Sequence, residues 1–339
     1  MSKSQVIALG HGSAVRARTG SGAWRLLAGS ALLLVAGVAM SWLVGSQLLL
    51  GLMTRATILA MVATAIGFLI RQNGLTSFGH AAFFGMAVYF MALNGKYGWM
   101  PAELAVLLAI VLPALFAFFV GLIIVQLPPL SFSMVMLALA QSLYQLMLRW
   151  RELANGDDGL SVRLPQTLFG LDIEVFQAPQ SMFIVSWIAL VLVLVAITWM
   201  ARSRFGVLTI AIRENEERAR YLGYHTLIPR VLVLSLSAAV AGLAGVLSAL
   251  YDGFASPDAL HWSLSGETLI MAIIGGSNAL WGPALGAVIF FFIKDTVGNM
   301  TEHWPAIIGL LLVTVTVVLP RGVSDLLLRL SSLRSRGKS

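Results

Sequence analysis

Long apolar runs, separated by short polar stretches, repeat along almost the whole chain. A membrane-spanning helix needs about 20 predominantly apolar residues, and several of the runs reach that length. The pattern predicts an all-α polytopic membrane protein with about ten transmembrane or re-entrant helices. The predicted segments are 25–45, 48–70, 75–94, 102–126, 131–150, 181–201, 230–251, 265–279, 282–298 and 304–320.

Two of these segments are interrupted by glycine and polar residues. Segment 75–94 begins beside Asn73-Gly74, and segment 265–279 ends near Gly275-Gly276. Short, Gly-interrupted segments are typical of broken or re-entrant helices near a transport pathway. Close helix packing through small residues is the alternative for each glycine taken singly. The two clusters together favour a pathway, and the polar residues predicted to line it are Thr76, Ser77, His80, Ser277 and Asn278.

The composition supports a membrane protein, since 58% of the 339 residues are hydrophobic and only 11% are charged. Such a chain is not disordered, and an ordinary soluble domain is a poor fit. The net charge of +7 does not indicate nucleic-acid binding, because the basic residues lie at loop ends and in the tails, where membrane topology explains them. The chain has no cysteine, which excludes disulfides and thiol catalysis.

An even number of segments puts both termini on one side of the membrane. Basic residues of both tails and of the loop 202–229 fall on that side, whereas few basic residues fall on the other. The excess of positive charge marks the cytoplasmic side, and the first apolar run is interpreted as a retained span rather than a cleaved signal peptide. The predicted parts are a cytoplasmic tail (1–24), a transmembrane domain (25–320) with a loop on the outer side (151–179) and a cytoplasmic loop (202–229), and a basic cytoplasmic tail (321–339).

No motif for catalysis appears in the chain. It lacks a P-loop, a zinc motif, a nucleophile elbow and a dinucleotide fingerprint, and its five histidines are scattered without metal-ligand spacing. We therefore expect no cofactor and no enzyme activity in this chain. Ion-coupled transport needs ionisable groups within the membrane, and pairing or snorkelling near the surface is the alternative role for such groups. The candidates are Arg55, Glu267, Lys294 and Asp295.

The loop 202–229 is dense in charge and has a helical pattern. Glutamates precede arginines by four residues, an order that favours a helix. The pairs are Glu214–Arg218 and Glu216–Arg220. With Gly223 as the C-terminal cap, the pattern predicts one helix from about Val207 to Leu222. Such a helix either docks on a soluble partner or lies on the lipid headgroups.

The loop 151–179 contains strong turn chemistry at Gly156-Asp157-Asp158-Gly159. Residues 168–176, around Leu171-Asp172, are predicted to form a short hairpin. This loop either docks a soluble partner or caps the helix bundle.

Several stretches resemble the permeases of ABC importers. Glu217-Arg218-Ala219, with Gly223 four residues later, resembles their EAA-x3-G loop, although Arg218 stands where the motif has alanine. More specifically, residues 211–216 are similar to the loop of branched-chain amino acid permeases of the LivM type. Further stretches similar to that family, in the same order, are Gly74–Gly85, Gly156–Leu160, Gly275–Pro283 and Pro320–Gly322.

This resemblance implies a permease of the bacterial inner membrane that forms a translocation path with a second, related permease. It also implies two cytoplasmic ATPase subunits and a periplasmic solute-binding protein. The solute would be a branched-chain amino acid, or urea or a short amide. In such importers the charged loop forms a coupling helix that sits in a groove of the ATPase. The contact residues are then Arg213, Glu214, Glu216, Glu217, Arg218 and Gly223.

Two further functions stay open on the sequence alone. An ion-coupled secondary transporter would move a small solute without ATPase subunits. A membrane scaffold would use the same loop to recruit a partner, without any solute flux.

Overall fold

A helix occupies each of the ten predicted segments in the computed structural model, which describes residues 19–301, 303–318 and 322–326. The first helix begins at Thr19, within the predicted N-terminal tail. Residues 1–18, and all of 321–339 apart from 322–326, lie outside the described residues. In chain order the α-helices are α1 (Thr19–Leu43), α2 (Gln47–Asn73), α3 (His80–Tyr97), α4 (Ala102–Ile124), α5 (Pro129–Arg149), α6 (Arg151–Ala154), α7 (Glu174–Gln177), α8 (Pro179–Arg202), α9 (Arg204–Glu214), α10 (Glu216–Tyr221), α11 (Leu227–Asp252), α12 (Trp262–Gly275), α13 (Gly282–Gly298) and α14 (Trp304–Val318).

Five helices are long and apolar enough to cross a membrane by themselves. They are α2, α4, α5, α8 and α11, with 21 to 27 residues each. Most residues of α2 and α11 are buried in the protein, whereas α4 and α5 expose most of theirs. Exposed leucine, valine and phenylalanine side chains suit contact with lipid tails, which are equally apolar. The protein is therefore a multi-pass membrane protein with α2 and α11 at its centre.

The two central helices lie side by side and run in opposite directions. Hydrogen bonds and one ion pair join them near both ends and in between. The contacts are Asn73 Nδ2 to Arg230 O (2.9 Å), Ser237 Oγ to Ala65 O (2.6 Å) and Arg55 Nη2 to Asp252 Oδ1 (3.1 Å). Because the C-terminal end of α2 meets the N-terminal end of α11, the pair is antiparallel along its whole length.

Each central helix is followed by a non-helical break and then by a shorter helix that starts inside the bundle. Residues 74–79 lead from α2 to α3, and residues 253–261 lead from α11 to α12 through a short 3-10 helix. The starts of the two shorter helices meet, since the buried backbone N–H of Ala81 donates to Ser265 Oγ at 2.7 Å. The break predicted in segment 75–94 is confirmed, while the break before α12 was not predicted.

Close approach through small residues joins α12 to α13. A Cβ atom added to Gly286 would lie 2.1 Å from the carbonyl oxygen of Met271 on the neighbouring helix. Likewise, a Cβ on Gly67 of α2 would lie 2.3 Å from Pro283. Packing through glycine, the alternative to a pathway role, therefore occurs at these two positions.

The loop 151–179 is built from α6, α7, a 3-10 turn and three short strands. β2 (Thr167–Leu168) and β3 (Leu171–Asp172) form the predicted hairpin. Its turn lies at Phe169-Gly170, both with positive φ, as a two-residue hairpin turn requires. β1 (Leu160–Ser161) pairs antiparallel with β4 (Phe254–Ala255) in the break before α12. The loop therefore caps the helix bundle, and these two-residue strands are the exceptions to the all-α class.

Three of the four intramembrane candidates for ion coupling are paired between helices. Glu267 of α12 and Lys294 of α13 form an ion pair at 2.6 Å, and Arg55 of α2 pairs with Asp252 of α11. Pairing, the alternative to ion coupling, is confirmed for these residues. Each pair joins two neighbouring helices of the bundle.

The close approach at Gly286 predicts that Gly286→Ala lowers stability, because a methyl group there pushes α13 away from a carbonyl group of α12. Such overpacking costs about 1–3 kcal/mol. The matched control is Gly298→Ala in the last turn of α13, where a Cβ meets nothing within 4 Å. Thermal unfolding of both purified variants in detergent, followed by tryptophan fluorescence, tests this. An equal midpoint for the two variants would contradict the tight contact.

Candidate functional site

The charged loop, residues 202–229, folds into two helices rather than one. α9 and α10 are separated at Asn215, whose backbone is extended (φ −158°, ψ 97°). The Asn215 side chain accepts a hydrogen bond from the backbone N–H of Arg218 at 2.8 Å and so caps α10. The single helix predicted from Val207 to Leu222 is therefore wrong, because an N-capping asparagine competes with helix continuation.

The break at Asn215 lies between the two members of one predicted ion pair and leaves the other pair within a single helix. Glu214 ends α9 while Arg218 belongs to α10, and no ion pair joins them in the described part of the chain. Glu216 and Arg220 lie on the same helix and form the predicted pair at 2.5 Å. Only the pair that stays within one helix is confirmed.

Glu216 fixes α10 to the helix bundle. Its Oε1 accepts hydrogen bonds from Arg220 Nη2 (2.5 Å) and Thr226 Oγ1 (2.8 Å), and its Oε2 accepts one from Arg230 Nη1 (2.7 Å). The Arg230 side chain is only 12% exposed, and its backbone carbonyl accepts from Asn73 of α2. Glu216 thus connects α10 to the start of α11 and, through Arg230, to the end of α2.

The environment of Glu216 keeps its carboxylate charged. Burial raises its pKa, but the hydrogen bond from Thr226 and the charges of Arg230 and Arg220 outweigh that effect, so the pKa lies below the ordinary value. The group is therefore ionised at neutral pH. Hydrogen bonds to an ionised group are shorter and stronger than neutral ones, which agrees with these three distances.

α9 is fixed to the last turn of α2. Arg213 Nη1 donates to the carbonyl oxygen of Arg71 at 2.6 Å, and Thr209 Oγ1 donates to the buried Gln72 Oε1 at 2.8 Å. Arg71 in turn donates to the carbonyl oxygen of Asn278 in the α12–α13 turn. Cations favour the C-terminal end of a helix, where carbonyl groups are unpaired. Of the predicted contact residues, Arg213 and Glu216 are thus engaged within the chain.

The other predicted contact residues lie on an exposed surface. Tyr221 and Leu222, which are 90% and 71% exposed, lie on the same surface. The sequence analysis missed these apolar residues, although large side chains close together in a charged loop are a readable signal. We call this surface the exposed ridge, and its residues are Glu214, Glu217, Arg218, Tyr221, Leu222 and Tyr224.

Gly223 ends α10, as predicted. Its φ of +86° is left-handed, and its N–H donates to Arg220 O at 2.9 Å. The next N–H, of Tyr224, donates to Ala219 O at 3.1 Å. These two bonds form a Schellman motif, which glycine adopts without strain. A Cβ at Gly223 would meet nothing within 4 Å, so the requirement is conformational rather than steric.

The predicted pathway residues fall in two places. One group lies at the break before α3 and the other in the α12–α13 turn, and no hydrogen bond among the described residues joins them. The hydroxyl groups of Thr76 and of Ser133 in α5 form a hydrogen bond at 2.8 Å. Within the same described part of the chain, no three His, Asp or Glu residues are arranged to hold a metal ion. The first group is Thr76, Ser77 and His80, and the second is Ser277 and Asn278.

His80 is a fully buried residue whose two ring nitrogens are both bonded. Nε2 contacts Ser237 Oγ at 2.7 Å, and Nδ1 contacts Ser77 Oγ at 2.9 Å. Because Ser237 donates its only proton to Ala65 O, Nε2 must be the donor to Ser237. Nδ1 then accepts from Ser77, and the ring is neutral. This network holds the break against both central helices.

The bonds of Glu216 predict that Glu216→Ala destabilises the loop, since Arg230 is left largely buried without its partner. The loss is about 1.5–3 kcal/mol for hydrogen bonds to a charged group. Glu217→Ala is the matched control, because the neighbouring Glu217 is exposed. Hydrogen exchange of residues 216–226 measures the effect. Equal exchange in both variants would mean that Glu216 does not hold the loop.

The lowered pKa of Glu216 predicts a pH dependence. A lowered folded-state pKa stabilises the fold above the unfolded pKa of about 4.3, and this contribution is lost as the pH falls through the folded value. Wild-type protein should therefore exchange more slowly than Glu216→Gln at pH 5 to 7, and the two should converge in stronger acid. Wild-type protein that exchanges no more slowly than Glu216→Gln at pH 5 to 7 would contradict the assignment.

The comparisons with known proteins agree on one family. Residues 48–318 match the family model described as "Branched-chain amino acid transport system / permease component". The chain is 26% identical over 333 residues to the high-affinity branched-chain amino acid transport system permease protein LivM of Salmonella typhimurium, covering 90% of this chain and 77% of the relative. It is also 26% identical over 315 residues to the LivM protein of Escherichia coli, covering 86% of this chain and 73% of the relative.

A further relative has a name that refers to a different solute. The chain is 28% identical over 238 residues to the autoinducer 2 import system permease protein LsrC of Escherichia coli, covering 68% of this chain and 65% of the relative. No solved structure matches the chain. Because the family model matches most of the sequence, this protein belongs to the family of branched-chain amino acid transport system permease components.

Proposed function

We propose that this protein is one of two permeases in an ABC importer and that α10, with the end of α9, is its coupling helix. The observation that carries the proposal is the exposed ridge on a loop that is firmly fixed to α2 and α11. A coupling helix must be rigidly attached to the transmembrane helices and exposed on the side that contacts the ATPase. The bonds of Glu216, Arg213 and Thr209 supply the first property, and the ridge supplies the second.

The proposed topology has ten membrane segments, with both termini and the charged loop in the cytoplasm. The basic residues of the tails and the charged loop support this orientation. The loop 151–179 then lies in the periplasm, where a solute-binding protein delivers the solute. Two ATPase subunits dock on the cytoplasmic face, one on each permease.

Each predicted contact residue takes one of three parts in this proposal. Glu214, Glu217 and Arg218 bind the ATPase together with the apolar residues of the ridge. Arg213 and Glu216 transmit its movement to α2 and α11, and Gly223 sets the end of α10. Arg218, which stands where the general motif has alanine, is exposed and contributes to the choice of ATPase.

We propose branched-chain amino acids as the solute, with urea or short amides as the alternative. The names of the LivM relatives support the first choice, whereas the LsrC relative is named for autoinducer 2 import. The path is proposed to pass the two breaks. The bonding capacity of Ser77 and His80 is used within the chain, and the Thr76 hydroxyl already bonds Ser133, so Ser277 and Asn278 are the better candidates for solute contact.

An ion-coupled transporter is the competing proposal. It would need intramembrane charges that are free to bind and release an ion, whereas three of the four candidates are engaged in ion pairs. Reconstitution separates the two. Uptake by this chain alone, driven by a proton or sodium gradient, would support the competitor; uptake that needs both permeases, the ATPases and ATP would support the importer.

The ridge predicts that Tyr221→Ser with Leu222→Ser reduces copurification of the ATPase. Large apolar anchors at an interface contribute about 2 kcal/mol or more each, so the loss should exceed about tenfold. Phe169→Ser, at an exposed apolar residue in the 151–179 hairpin, is the matched control. Unchanged ATPase binding by the double variant would refute the docking surface.

Glu217→Ala with Arg218→Ala should have a different effect from that double variant. The apolar anchors remain, so the ATPase still binds, but the polar contacts that orient it are lost. ATP hydrolysis should continue while uptake in proteoliposomes falls. If both uptake and assembly stay at the wild-type level, these residues do not take part in coupling.

A further inference from the structure

A cavity of about 570 Å³ lies between α2 and α11 at the end away from the charged loop. Its volume falls within the range of about 300–1,000 Å³ that is usual for small-molecule sites. Arg55 of α2 and Asp252 of α11 line it, together with Val88 of α3. Phe254 and Ala259, both in the break before α12, also line the cavity. The cavity therefore opens beside the break that leads into the bundle.

The charged pair in this cavity has bonding capacity to spare. Arg55 Nη2 contacts Asp252 Oδ1 at 3.1 Å, and Ser248 Oγ donates to Asp252 Oδ2 at 2.7 Å. A guanidinium carries five N–H donors, and Asp252 is the one acceptor recorded for Arg55 among the described residues. The Arg55 side chain is 60% exposed and that of Asp252 is 30% exposed. Both charges are thus accessible from the cavity while they are paired with each other.

The rest of the lining narrows the chemistry of a ligand. Val88, Phe254 and Ala259 give the same cavity an apolar side, beside the polar side chains of Gln177, Tyr251 and Ser256. An anion alone would replace Asp252 as the partner of Arg55 and leave the Asp252 carboxylate with the Ser248 hydroxyl but no cation, and a cation alone would leave the Arg55 guanidinium without an anion among the described residues. A zwitterion with an apolar side chain matches all three features.

We propose that this cavity is a transit subsite for a zwitterionic α-amino acid with an aliphatic side chain. The ligand carboxylate binds Arg55, its ammonium group binds Asp252, and its side chain packs on the apolar wall. The pair opens as the ligand enters, and each charge exchanges one partner for another, so no charge is left unpaired at any stage. Partial exposure keeps the binding weak enough for release, as transit requires. The inference rests on the proposed importer function.

Cysteine protection tests the subsite directly, because the chain has no native cysteine. Ala259→Cys places one thiol in the cavity wall, and Ser248→Cys is a second reporter if the first variant does not assemble. The complete importer, with its other subunits free of cysteine, is embedded in lipid nanodiscs and treated with a water-soluble maleimide. The binding protein is left out, so that it does not select the ligand.

Three probes of similar size are compared: leucine, isocaproate, which lacks the ammonium group, and isoamylamine, which lacks the carboxylate. Leucine should slow the labelling of Ala259→Cys at concentrations about tenfold lower than either analogue. Ala178→Cys, an exposed position that does not line the cavity, is the matched control and should be labelled at one rate throughout. Labelling of Ala259→Cys that is unaffected by leucine would overturn the proposal.

Removing either charge should abolish the preference for leucine. Arg55→Gln and Asp252→Asn, each combined with Ala259→Cys, should require about tenfold more leucine for protection. Arg149→Gln makes the same type of change outside the cavity and should leave protection unchanged. If leucine protects the neutralised variants as well as it protects the parent, the pair only joins the two helices and the subsite is wrong.

The outcome for the subsite can be told apart from the outcome for the importer. ATP-driven leucine uptake by the wild-type complex, with its binding protein, is measured in parallel. Uptake without protection overturns the subsite alone. Protection without ATP-dependent uptake overturns the importer proposal and leaves an amino-acid site in a protein of another mechanism.

Discussion

In a lipid bilayer, a backbone N–H or C=O group that leaves a helix must find its partner within the protein. The break before α3 in this permease lies inside the bundle and meets this requirement with short hydroxyl side chains. Ser77 accepts from the backbone N–H of Gly79, and Ser265 of α12 accepts from that of Ala81. This break can therefore exist because it faces α12 and the central helices.

The same central helices also carry the two surfaces for which we propose roles in transport. At one end of the pair, Glu216 and Arg213 attach the charged loop. At the other end, Arg55 and Asp252 form the wall of a polar cavity. A tilt of α2 against α11 changes both ends at once, because the helices are bonded along their length. Such a pair is a physical route by which a movement on one side of the membrane reaches the other.

The sequence predicted the bundle well because apolar runs of span length have few other interpretations. It also predicted the break before α3, the hairpin and the glycine that ends α10, since each is a local signal. The division at Asn215 was missed, because Glu–Arg spacing of four residues looks the same in one long helix and in two short ones. The pairing of Arg55 with Asp252 was not predictable either, since 197 positions separate the two residues. The exposure of Tyr221 and Leu222 depends on how the loop packs.

The pairing of β1 with β4 has a consequence for communication from the side of the 151–179 loop. The strand pair is extended by the backbone N–H of Val162, which donates to Gly253 O at 2.9 Å. Main-chain bonds thus join the loop to the first residues after α11. If a solute-binding protein docks on this loop, as proposed, a shift of the loop also moves Phe254 and with it one wall of the cavity. The two-residue sheet would then couple docking of that protein to the shape of the proposed subsite.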